Sequence, residues 1–328
     1  MQKEKVLVIG ACGQLGSELT LALRQVYSDA QVLATDVVPP SAELLVSGPF
    51  AQLDILDREA FFALVDKHQF TQIYHLAAIL SANAERNPAF AWKLNIDGLM
   101  NVLDVAKSRD FVKKIYCPSS IAVFGPHTPT NDTPQFTVMD PNTIYGITKL
   151  VDERLSEYYF QKFNVDIRSL RYPGLISYKT PPGGGTTDYA VDIYYKAIQA
   201  GHYDCFLRED TSLPMMYMPD AIKATLDLMH ADSDKVKIRS SYNLTAMSFT
   251  PTQVAESIRQ HIPSFTISYA PDFRQQIADS WPNSIDDTAA RQDWGWKPSY
   301  DLEAMTADML KNLREKLRVD TIASVSVK

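Results

Sequence analysis

Cysteine is scarce in this sequence and badly placed for either of its structural uses. Cys12, Cys117 and Cys205 are odd in number, far apart and never in a C-x-x-C pair, which excludes a disulfide framework and a cysteine zinc site. The six histidines are also scattered, so no metal is expected and any redox chemistry must come from an organic cofactor. No apolar run approaches the roughly 20 residues that span a bilayer, and no membrane partner is expected. Basic clusters are missing too: 32 Lys and Arg against 39 Asp and Glu give a net charge of −7, and the electrostatic footprint of nucleic-acid binding is absent. A small solute is the expected partner. Residues 1–5 lead into a strand and not a targeting segment, so the expected compartment is the cytoplasm.

What is present is the composition of an ordinary folded protein, 45% hydrophobic and 22% charged over 328 residues. That length exceeds a single core of roughly 250 residues and favours a large domain with a smaller one appended. Apolar runs at 6–10, 32–36, 72–77, 114–120 and 165–173 alternate with helical patterns, a βαβ rhythm. The expected fold is therefore α/β, a doubly wound parallel sheet of the Rossmann type, binding its ligand at the strands' carboxyl ends. Residues 1–173 would form this domain, with return segments near 217–247. A smaller α/β substrate or lid domain would occupy 174–318, closing with a helix over 301–317, and 319–328 would be a disordered tail.

Strand VLVIG runs directly into Gly10-Ala-Cys12-Gly13-Gln14-Leu15-Gly16 and then a helix. Glycines at that junction permit a tight turn and bring backbone amides at a helix N-terminus close to a pyrophosphate. Asp36 ends the second strand twenty residues beyond Gly16, where a carboxylate accepts both adenosine ribose hydroxyls and repels a 2′-phosphate. NAD is accordingly expected over NADP.

Tyr145 and Lys149 are four apart and share one helical face. A phenol is a poor base at neutral pH, and the neighbouring ammonium is expected to lower its pKa. Upstream, Pro118-Ser119-Ser120 ends a strand at the same edge; one of the two serines faces the cofactor, and Ser120 is preferred for holding a substrate hydroxyl.

These motifs, with HLAA at 75–78, LNIDG around Asn95, SSIAVFG and RYPG at 171–174, resemble the extended short-chain dehydrogenase/reductase family from residue 5 to about 317. The resemblance implies a catalytic trio of Ser120, Tyr145 and Lys149 supported by Asn95. It also implies cofactor contacts at Asp54, Ile55, Leu76, Ala77, Ala78, Tyr172 and Pro173, beside those in the glycine loop. Phe124 stands where many relatives carry tyrosine.

Leu213–Asp220 lacks the arginine usual in the nucleotide-sugar enzymes of that family, and Met215, Met216 and Met218 would either make the pocket smaller or simply fill core. Together with YPGLIS at 172–177 and PGGGTTDYAV at 182–191, this stretch resembles the short-chain-type L-threonine 3-dehydrogenases. The implied reaction is oxidation of the threonine β-hydroxyl to 2-amino-3-ketobutyrate, with hydride passing to nicotinamide C4. Gly184, Gly185 and Thr186 would hold the substrate carboxylate, Ser81 would contact substrate, Trp281 would close the pocket, and Asp188 would start a helix behind a mobile lid. The alternatives are a nucleotide-sugar epimerase or reductase, or a non-catalytic NAD-binding regulator. A homodimer is implied, either through Phe90, Trp92, Leu94, Tyr158, Tyr159 and Phe160 or with those residues as core. Functional coupling to a 2-amino-3-ketobutyrate CoA ligase is a further implication.

Overall fold

Val6, Leu7, Val8 and Ile9 are all buried, as a strand covered on both faces requires. The computed structural model of the chain describes residues 4–326. Its first half supplies β1 (Val6–Ile9), β2 (Val32–Asp36), β3 (Phe50–Gln52), β4 (Gln72–His75), β5 (Lys114–Tyr116), β6 (Ser119–Ser120), β7 (Ile167–Arg168) and β8 (Leu170–Tyr172). Six of them form a parallel sheet in the order β3-β2-β1-β4-β5-β7. The order reverses direction between β1 and β4, and at such a switch point the carboxyl ends of neighbouring strands leave a crevice. Alternation along β1 divides the packing: Val6 and Val8 join one cluster with Leu19 and Leu23, whereas Leu7 and Ile9 join another with Phe61, Val102 and Leu103.

Past the crevice the chain regroups into shorter sheets. Pro118 interrupts the run from β5 to β6, and Ser120 lies beside Tyr172 where β6 pairs with β8. The remaining strands are β9 (Gly174–Ile176), β10 (His202–Cys205), β11 (Leu213–Tyr217), β12 (Tyr242–Asn243), β13 (Met247–Phe249) and β14 (Thr266–Tyr269). β12 returns to pair with β8, β11 lies between β9 and β13, and β10 pairs with β14. The helix Met218–His230 packs back against the Gln14–Tyr27 helix, and the carbonyls of Leu228, Met229 and Ala231 near its C-terminus accept from buried Arg168.

Two expectations change, and one open alternative is decided. β3 has no counterpart among the apolar runs, because three residues, two half-buried and one exposed, carry no period to read. Met215, Met216 and Met218 are fully buried core and do not face the crevice. The last helix, Leu302–Ser326, runs beyond 317 into the segment expected to be a tail, whose final residues 327 and 328 lie outside the described residues.

The Ile144–Phe163 helix carries Tyr145 and Lys149, and a buried polar network fastens it to the strands. Arg171 grips both oxygens of Glu153 at 2.8 and 2.7 Å, and Ser119 donates to Glu153 at 2.7 Å. Arg171 also donates to Gln135 O and to Asn243 Oδ1, each at 2.9 Å, so the network spans β6, β8 and β12. Removing one partner strands the other charge. Glu153→Ala is expected to cost about 3–5 kcal/mol in denaturant unfolding, and Glu153→Leu combined with Arg171→Met markedly less.

Candidate active site

The glycine loop closes the crevice at β1. Gly10 has φ +84°, and a Cβ there would lie 2.6 Å from the Ala77 backbone nitrogen, so the ends of β1 and β4 can only meet this closely without a side chain. At Gly16 a Cβ would reach 2.1 Å from Gly10 O, which locks the helix against the loop. Gly13 has no such crowding; it precedes the Gln14–Tyr27 helix, lines the cleft and offers no side-chain cap to the first amides. This cradle suits a pyrophosphate: small where backbone must approach, and supplied with free N–H groups.

Asp36 Oδ2 accepts from Cys12 N at 2.8 Å and Oδ1 from Val38 N at 3.1 Å, so the glycine loop itself fixes the carboxylate at the end of β2. Burial and this neighbouring acid push the Cys12 thiol up to about 11. Asp54 is exposed and binds the Leu56 amide, while buried Ile55 gives its carbonyl to Asn101.

The cleft between this loop and the second half of the chain has a volume of about 800 Å³. It brings together Gly10, Gly13, Gln14, Leu15, Gly16, Leu76, Ala78, Ser81, Ser120, Tyr145, Lys149, Tyr172, Gly185, Thr186 and Trp281 from the residues anticipated. Cys12, Asp36, Asp54, Ile55, Ala77 and Asn95 stand outside its lining. Asn95 is instead buried in a π-helical turn, where it holds the Ile79 backbone from both sides and donates to Thr148 at 3.0 Å, one residue from Lys149. Its place is behind the wall.

Partners decide between the two serines. Both serines line the cleft, but Ser119 is spent on Glu153, whereas the hydroxyl of half-buried Ser120 only accepts from Ala122 N at 3.2 Å and keeps its proton to donate beside Tyr145. Burial raises the Tyr145 phenol above its ordinary value; Lys149 and the neighbouring Ser120 hydroxyl pull it down but do not outweigh burial, contrary to the lowered pKa expected from the sequence. Lys149 donates to Pro118 O at 2.8 Å and to Asp152 Oδ2 at 3.1 Å. Burial opposes its charge, yet Asp152 and the other negative neighbours hold its pKa above the usual lysine range. His75, beneath this pair, is pushed down to about 3 by burial and by Lys149, so it is neutral. Tyr172 spends its hydroxyl internally on Tyr116 and Thr225 and presents only its ring.

Across the cleft, Asp188 Oδ2 accepts from Gly183 N at 2.6 Å and Gly185 N at 2.9 Å. Asp188 stands at the start of the Tyr189–Gln199 helix as expected, but its side chain caps no amide of that helix and ties the glycine loop instead. Thr186 is 3% exposed and lines the cleft, and its hydroxyl has no hydrogen-bond partner among the described residues. Sequence reasoning missed Arg86, Asn83 and Phe273 in the lining. Arg86 is the next residue after ILSANAE and reads locally as a surface charge; Phe273 gives no local signal.

A nucleotide cradle joined to a Ser-Tyr-Lys wall defines an NAD-dependent oxidoreductase. The chain matches the NAD dependent epimerase/dehydratase family over residues 6–245 and belongs to it. An uncharacterized epimerase/dehydratase of Staphylococcus haemolyticus is 49% identical over 95% of this chain and 98% of its own. Among solved structures, the GalE-like L-threonine dehydrogenase from Cupriavidus necator in its holo form is similar at 53% identity and TM-score 0.91, covering 94% of this chain and 99% of that one. The L-threonine dehydrogenase from Clostridium difficile is similar at 50% identity and TM-score 0.93, covering 96% and 99%.

Replacing Asp36 tests the cofactor half of the cleft. Asp36→Ala is expected to weaken NADH binding about tenfold, the worth of one charge-assisted hydrogen bond, and to narrow the preference over NADPH, both read by fluorescence titration.

Proposed function

We propose that the protein oxidises the β-hydroxyl of L-threonine to 2-amino-3-ketobutyrate. The observation that carries this reading is the pairing of Ser120 and Tyr145 on one wall with the unpartnered hydroxyl of buried Thr186 on the other. Substrate groups at opposite ends of a small molecule would meet both. Similarity to threonine dehydrogenases supports the same choice.

Ser120 would hold the substrate hydroxyl and Tyr145 would take its proton as the β-carbon becomes a carbonyl. NAD, when bound, supplies the hydride acceptor. Lys149 would stabilise the phenolate and hold the cofactor ribose, and Asp36 the adenosine ribose. Thr186, the Gly184 amide and the Arg86 guanidinium offer the carboxylate a hydroxyl, a backbone donor and a charge, while the Gly185 amide is already held by Asp188. Arg86 lines the cleft without a carboxylate partner among the described residues. Ser81 is not the cap of its own helix, which leaves its hydroxyl for substrate, and Trp281 would shield the far side from water.

The same reading includes a loop at 181–190 that closes on substrate, with its motion centred on Gly184 at φ +91°, where nothing crowds the backbone. It includes a homodimer formed through the exposed Phe90, Trp92 and Tyr158; Tyr159 is core, and Phe160 lies under Arg239 at 4.1 Å. A cytoplasmic place and a ligase consuming the ketone also follow from it.

Two kinetic outcomes are expected. Because the base carries a raised pKa and must be ionised to act, kcat/KM for threonine rises with pH through neutrality into the alkaline range. Thr186→Ala raises KM about tenfold with little change in kcat, whereas Tyr145→Phe lowers kcat at least about a hundredfold. Equal loss of kcat in both variants would place Thr186 in the chemistry and contradict the assignment. Absence of any amino-acid turnover by the folded protein would contradict the function.

A further inference from the structure

Lys149 is not held by backbone alone. Its ammonium has three N–H donors, and two are spent, one on Pro118 O and one on Asp152 Oδ2. Both side chains of the Lys149–Asp152 pair are 6% exposed. The other oxygen of Asp152, Oδ1, is buried with no partner among the described residues. A carboxylate half-satisfied in the interior contributes little to stability, since desolvation offsets most of the Coulombic gain. Glu153, one residue on, shows the contrast: both its oxygens are paired with Arg171. Asp152 therefore reads as a residue kept for what it does to Lys149.

Four other groups face the pair. Tyr145 lies on the same helix, with Lys149 Nζ 6.0 Å from its ring centroid. His75, from β4, is neutral. Cys117, just after β5, has its thiol pushed up to about 12 by burial and by Asp152, and stays protonated. Glu153 is neutralised by Arg171 from β8 and also takes the Ser119 hydroxyl. Asp152 is thus the negative charge not already matched by an arginine that bears on both Lys149 and Tyr145.

We propose that Asp152 is a positioning residue for the Tyr145–Lys149 couple: it pins the ammonium beside Pro118 with one donor left for the cleft, and its charge opposes that ammonium at the phenol, setting the pH range in which the couple works. The proposal rests on the reading of Tyr145 as the base, and not on threonine being the substrate. With the carboxylate present, the field of Lys149 on Tyr145 is partly cancelled and the phenol ionises late. With a neutral side chain of the same shape, that cancellation is lost and the phenol ionises at lower pH.

The test compares wild type, Asp152→Asn and Asp152→Glu by two readouts. The first is the pH profile of kcat/KM for NADH formation from L-threonine. The second needs no substrate: phenolate absorbance is titrated in each protein and in the same protein carrying Tyr145→Phe, and the difference isolates Tyr145. The Asn variant is expected to move both midpoints down by about one pH unit, and the Glu variant to leave them near wild type. Coincident midpoints for the folded Asn variant and wild type would overturn the proposal. If wild type shows no threonine turnover, the substrate reading fails and the phenolate titration still decides the role of Asp152. Should Asp152→Asn not fold, Asp152→Ser carries the same comparison, with the same downward shift expected and an unmoved midpoint overturning it.

Discussion

The buried contact between Glu153 and Arg171 is the constraint on which the site depends. The helix Ile144–Phe163 is only weakly amphipathic: its buried residues include Lys149, Asp152, Glu153 and Ser156, so hydrophobic packing alone does not dictate how it sits. Arg171 supplies the missing specification from β8 and extends it to β12 through Asn243. Ser119 is drawn into the same network, which turns its neighbour Ser120 toward the cleft on the adjacent face of the strand. A single polar knot thereby sets the serine, the tyrosine and the lysine relative to one another.

The cofactor half is organised by exclusion of side chains. Gly10 and Gly16 permit backbone contacts that any Cβ would block, and the helix opened by Gln14 and Leu15 starts at the cleft. Asp36 then couples the end of β2 to that loop, because the Cys12 amide it accepts belongs to the loop itself. Distortion of the glycine turn would therefore disturb both the loop and the carboxylate at the end of β2. The opposite wall of the cleft follows the same device in another form: the Asp188 carboxylate ties Gly183 and Gly185, giving a glycine-rich loop a defined shape without filling it.

Much of this was legible in the residues because the signals are local. A strand, three spaced glycines, a helix and a later acid lie in order along the first 36 residues, and the structure places them at one sheet edge. Long-range partners were not legible. Nothing near Ser119 announces that Glu153, 34 residues later, will occupy it. Burial of Tyr145 depends on elements from the second half of the chain, so the sign of its pKa shift could not be read from a lysine four residues away. The same limit applies to β3, too short to show a period, and to Arg86, whose entry into the cleft follows from how its short helix docks through Glu85 onto Ile144.

Oxidation of threonine by a wall built from Ser120, Tyr145 and Lys149 would require hydride to leave the β-carbon of the substrate. The most direct measurement is turnover of L-threonine deuterated at carbon 3 in the presence of NAD, with the reduced cofactor analysed by mass spectrometry. The account predicts one deuterium per NADH formed and a slower reaction than with protiated threonine, both lost in Tyr145→Phe. Reduced cofactor without deuterium, or no reduction of NAD by the folded protein, would contradict it.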